Sequence, residues 1–124
     1  MAEAQYIAGM GFSNVGLGIV HSMAHPLGAF YDTPHGVANA TLLPYVMEYN
    51  AESPSRAKYL DIARAMGVKT DGMSVDEGVR AAVDAVKALS LSIRIPQRLH
   101  ELGVREEDIP ALAVAAFNDV CTGG

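Results

Sequence analysis

Apolar residues recur along this chain at spacings of three and four, and no apolar–polar alternation runs past four residues. That pattern predicts helices almost throughout, an all-α chain. Residues 2–10 read as a helix carrying Ala2, Ala4, Ile7 and Ala8, with no capping residue ahead of it. Gly11 and Ser13–Asn14 then mark a break. Residues 15–25 are apolar nearly all round, as in a helix at the centre of a larger protein. Pro26 lacks an amide proton and biases His25 away from helical geometry, so a kink or helix end is expected there.

Thr33 and Pro34 supply an N-cap and a first helical position. The helix they open carries Val37, Leu42, Leu43, Val46 and Met47 and should bend at Pro44. Ser53–Pro54 repeats the device for a helix over Lys58–Met66, stopped by Gly67. Ser74 and Glu77 match a capping box, and Val79, Ala82, Val83, Val86, Leu89 and Leu91 keep one stripe as far as about Ile93. Pro96 closes that helix. A turn over Arg98–Leu102 ends at Gly103, and a last helix is expected from about Glu106 to Val120. A bare Met1 at a helix start and a tail ending on Gly123–Gly124 are the ends expected of a piece cut from a longer chain.

The 124 residues, half of them apolar and 19% charged, suffice for one packed domain and exclude disorder. A net charge of −5 with nine scattered Lys and Arg offers no phosphate track, so no nucleic-acid partner is expected. No uncharged apolar run reaches the roughly 18 residues of a membrane span, and Met1–Phe12 lacks the form of a secretory signal. The single Cys121 fits a reducing cytoplasm and reads as a small apolar residue on the terminal helix.

Chemistry is concentrated in one stretch, GLGIVHSMAHPLGAFYDTPHGVAN, where His21, His25 and His35 fall within fifteen residues. Imidazole is a leading protein ligand for iron and zinc and titrates near neutral pH. A lone histidine is more often a core residue bonded to backbone; three together, flanked by glycines, argue for a site. His21 and His25, four apart, share a helix face and could hold one metal between them. Pro26 could instead turn His25 away, and spacing alone leaves the pairing open. Phe12, Val15, Met23 and Phe30 are possible apolar walls, though each more often serves as core. Asp32, three residues before His35, could orient an imidazole or simply cap a turn. His100, beside Glu101, reads as a surface residue.

The longer string GMGFSNVGLGIVHSMAHPLGAFYDTPHGVAN resembles the signature of the iron-containing (group III) alcohol dehydrogenases. That signature, roughly G-x-x-H-x-x-A-H-x-x-G-x-x-x-x-x-P-H-G, is met by Gly18, His21, Ala24, His25, Gly28, Pro34, His35 and Gly36. The likeness continues through LLPYVMEYN, RAMGV, DIPALA and DVCTGG, covering essentially the whole chain.

The resemblance implies the helical metal-binding C-terminal domain of the iron alcohol dehydrogenase, dehydroquinate synthase-like fold. Residues 1–124 would be one partial domain, with the N-terminal dinucleotide-binding domain absent. It implies His21 and His35 as metal ligands, in place of the pairing suggested by spacing. His25 would be the non-ligand histidine beside nicotinamide and metal, a catalytic proton carrier. The implied cofactors are Fe(II), with Zn(II) as the alternative, and NAD(H) bound mainly outside this chain. The implied partner is a small alcohol or aldehyde, and the assembly a homo-oligomer. The family's other two ligands, an aspartate and a histidine four apart on an earlier helix, have no counterpart here. That gap keeps open a second expectation, a non-catalytic helical binding or oligomerisation module derived from such an enzyme.

Overall fold

The computed structural model describes residues 1–122. Among them every regular element is helical, as the spacing predicts. They form two compact units, one of residues 1–39 with 104–122 and one of residues 40–103.

The unit of residues 40–103 is built by strong local signals. It contains α3 (His35–Asn50) from Ala40 onward, a 3-10 turn over Pro54–Ala57, α4 (Lys58–Ala65), α5 (Val75–Ser92) and a second 3-10 turn over Leu99–Leu102. Ser74 caps α5 as expected: its hydroxyl accepts from the Glu77 amide at 3.3 Å, and the Glu77 carboxylate accepts from the Ser74 amide at 2.8 Å. That backbone bond is the first cause holding the Glu77 carboxyl below its ordinary range. Ser53–Pro54 opens a 3-10 turn first and the α-helix only at Lys58. Gly67 ends α4 as foreseen, at φ +88, a left-handed conformation that L side chains resist.

The core of this unit joins Met47, Tyr59, Ala63, Ala82 and Val83. Ala63 and Ala82 are wholly buried, which lets α4 and α5 approach closely. Gly78 carries the approach further: a Cβ there would lie 2.5 Å from Leu60 Cδ2 and 2.7 Å from its Cγ. Tyr59 donates its hydroxyl to the Met47 carbonyl at 2.5 Å, and burial pushes its pKa up.

The unit of residues 1–39 and 104–122 holds α1 (Ala2–Ser13), α2 (Ile19–Tyr31), the first residues of α3 and α6 (Ile109–Phe117). Its α1 runs through Gly11, and the break falls at residues 14–18, later than expected. No residue of α1 is buried.

One expectation about α2 is corrected and one is narrowed. The helix begins at Ile19 rather than residue 15, and of the kink or end expected at Pro26 the end is excluded, since the helix continues to Tyr31. A proline inside a helix costs about 3 kcal/mol. Here Ala24, Pro26 and Leu27 are all buried, and α2 packs on α6, so burial offsets the lost backbone bond. Asp32 ends the helix in the left-handed region, φ 52, with its amide bonded to the Gly28 carbonyl. Pro44 likewise lies inside α3 without ending it. The last helix is shorter than expected, Ile109–Phe117, entered by a 3-10 turn over Glu106–Asp108. Cys121 therefore lies in a turn beyond the helix, half-buried, rather than on it. The expected glycine tail lies outside the described residues. Among the described residues no helix is long and apolar enough to cross a membrane.

Candidate functional site

Two chain segments bring the histidines together. α2 carries His21 and His25 one turn apart, an arrangement kept because the helix does not break at Pro26. The turn after Asp32 then places His35 at the first position of α3. The ring centroids lie 6.3 Å apart for His21 and His25, 5.5 Å for His21 and His35, and 5.4 Å for His25 and His35. Imidazoles at that separation can converge on one ion bound about 2.0–2.1 Å from each ring nitrogen.

Burial, then the charges His35 and His25 would carry, pull the His21 pKa below its usual value. Its neutral form, the one with a lone pair for a metal, is thereby favoured at neutral pH. Imidazole nitrogens are donors of the type a divalent transition metal takes. Two or three of them would fill only part of such an ion's shell.

The three rings differ in their second contacts. His25 Nδ1 lies 2.8 Å from Asp119 Oδ2. The Asn39 side-chain amide lies 3.0 Å from His35 Nε2 and donates to the His35 carbonyl at 3.0 Å. Phe12 approaches His21 with ring centroids 6.4 Å apart. Of the other proposed walls, Val15 and Phe30 are exposed. Met23 lines a groove of about 240 Å³ with Ile19, Ala113, Ala116, Phe117 and Thr122. Two positions along a helix is a rotation of roughly 200°, so the Met23 face of α2 is turned away from the histidine face.

Sequence reasoning missed Asp119. It is 94 residues from His25, and it was placed inside a continuing helix rather than in the turn that the structure shows. The Asp119 amide donates to the Ala116 carbonyl, and its Oδ1 accepts from the Cys121 amide at 2.8 Å. That amide bond, followed by the His25 contact, holds the Asp119 carboxyl below the usual range. Burial, then Asp119, pushes the Cys121 thiol up, away from the reactive thiolate. Ligand-type atoms of His25, Asp119 and Cys121 lie within 4.8 Å of one another. Both oxygens of Asp119 are already hydrogen-bonded, which accounts for the cluster without an ion. Asp32 serves as the helix C-cap, and His100 is exposed, as the sequence suggests.

The C-terminal model of the Fe-containing alcohol dehydrogenase family matches residues 1–124. Lactaldehyde reductase of Escherichia coli (strain K12) is 68% identical over 124 residues, all of this chain and 32% of that protein. 1,3-Propanediol dehydrogenase of Citrobacter freundii is 50% identical over 119 residues, 96% of this chain and 30% of that protein. The solved alcohol dehydrogenase from Oenococcus oeni matches with a TM-score of 0.91 at 42% identity, over 96% of this chain and 31% of its own. The chain thus spans about a third of the length of these relatives.

Proposed function

We propose the following role for a chain that belongs to the Fe-containing alcohol dehydrogenase family: it supplies two metal ligands and a proton carrier to reversible reduction of a small aldehyde to an alcohol. The observation that carries this is the clustering of the His21, His25 and His35 rings, whose centroids lie within 6.3 Å of one another. His21 and His35 are the proposed ligands and His25 the catalytic histidine beside the nicotinamide.

Fe(II), or Zn(II) in its place, would act as a Lewis acid toward the substrate oxygen, and NAD(H) would carry the hydride. The chain's own contribution is orientation and proton transfer. Burial keeps His21 in the unprotonated form that a ligand must have. His35, at the start of α3, meets it across the turn capped by Asp32. His25 gives the proton that the oxygen of an aldehyde needs on reduction, and takes it back on oxidation. Lactaldehyde and propanediol name the substrates of the relatives, and a short hydroxy compound of that kind is the proposed substrate here.

We also propose a homo-oligomer, supported by the exposed Tyr6, Ile7 and Met10 on α1. The single cysteine, left reduced, suits a cytoplasmic location.

The test is anaerobic Fe(II) and Zn(II) titration of the chain beside three variants. His21→Ala and His35→Ala should each weaken binding by 10-fold or more, while His25→Ala should leave it within about 3-fold. Equal indifference to all three would leave a helical module that carries the motif without using it.

A further inference from the structure

We propose that Asp119 is the positioning residue for His25, fixing the ring proton on Nδ1 so that Nε2 is the atom that exchanges a proton with substrate. This rests on the reading of His25 as the proton carrier. A carboxylate has only acceptors, so the atom 2.8 Å from Asp119 Oδ2 must be a donor, and His25 Nδ1 carries the hydrogen. In the neutral ring the lone pair then belongs to Nε2.

Asp119 is itself held in place. Its amide donates to the Ala116 carbonyl and its carbonyl accepts the Thr122 amide at 3.0 Å. The Thr122 hydroxyl donates to the Ala116 carbonyl at 2.5 Å, and Asp119 Oδ1 accepts the Cys121 amide at 2.8 Å. One oxygen is therefore committed to the turn and the other to the histidine. The α2–α6 packing that brings these segments together lies within one compact unit.

That division of labour makes the isosteric variant informative. In Asp119→Asn the Cys121 amide still demands an acceptor, so the single carbonyl oxygen stays there. The side-chain NH2 is left facing His25 Nδ1, and a donor there forces the ring proton onto Nε2. The substitution should thus invert the tautomer rather than loosen it.

The experiment is two-bond proton–nitrogen correlation on the metal-free, histidine-labelled chain at a pH where the rings are neutral. The His25 signals are assigned by their loss in His25→Ala. The expected result is Nδ1–H in the wild type and Nε2–H in Asp119→Asn. Thr122→Val, which removes the Thr122–Ala116 bond of the same turn, should keep Nδ1–H. The same tautomer in wild type and Asp119→Asn overturns the proposal. So does inversion in Thr122→Val, since turn integrity would then explain the effect. Metal titration is a separate readout: indifference to His21 and His35 removes the enzymatic reading but leaves the tautomer result standing.

Discussion

The two units place their apolar residues differently. In residues 40–103, side chains from α3, α4 and α5 close one core around Met47, Tyr59, Ala63, Ala82 and Val83. In residues 1–39 and 104–122, buried apolar residues are fewer and smaller, Ala24, Leu27, Ala38, Val104 and Leu112, while α1 buries none. The unit with the chemistry is the less self-sufficient of the two. Its histidines lie half-buried or exposed where a metal or another chain can reach them, and its stability has less apolar burial behind it.

The contrast is sharpest at Tyr59. Truncating a buried aromatic costs about 3–5 kcal/mol, so Tyr59→Ala should lower the unfolding free energy by that order in a urea titration. Tyr59→Phe, losing only the bond to the Met47 carbonyl, should cost about 1 kcal/mol. A loss for Tyr59→Ala no larger than for Tyr59→Phe would mean that this core does not hold the unit together. Next in size is Gly78→Val. Its Cβ would run into Leu60 Cγ and Cδ2, and overpacking of that kind costs about 1–3 kcal/mol. Thermal unfolding that is unchanged or raised would show that Leu60 swings aside freely.

Ser74→Ala comes third, at about 1 kcal/mol for a lost N-cap. It has a pH signature with a definite sign. The Glu77 carboxyl titrates lower in the folded chain than in the unfolded one. Its contribution is therefore present above the unfolded value, near pH 4.3, and disappears as the pH falls through the depressed folded value. The acid limb of the stability curve should flatten only in part in Ser74→Ala, which keeps the backbone N–H bond to the carboxylate, and in full in Glu77→Gln. An identical limb in wild type and Glu77→Gln would remove Glu77 from the account.

The same division runs through what the sequence made legible. Local signals were read correctly in residues 40–103: the Ser74 box, the Gly67 stop and the turn closing at Gly103, all decided by residues within four positions of each other. The histidine motif located His21, His25 and His35, and their proximity follows from one helix and one turn. At Pro26 local propensity leaves a kink or an end open, and packing of its neighbours on α6, a tertiary term, carries the helix on. Asp119 escaped for a related reason. Its partner lies 94 residues away, and its turn was hidden in an apolar stretch that reads as continuing helix.

The smallest stability effect should come from α1, where the comparison can be broken most cleanly. Ile7 and Met10 are about half exposed, at 57% and 49%, and no residue of the helix is buried. Surface substitutions of this kind change stability by no more than about 0.5 kcal/mol, so Ile7→Ser with Met10→Ser should leave unfolding of the dilute chain within that margin. Association should respond instead. If these side chains form a contact between copies, removing them takes apolar area from that contact, and sedimentation equilibrium should shift to lower mass. Stability would then lose its dependence on protein concentration as well. A loss above 1 kcal/mol at low concentration would show that α1 packs within its own unit after all. Unchanged mass and unchanged stability together would place the contact between copies on another surface of the chain.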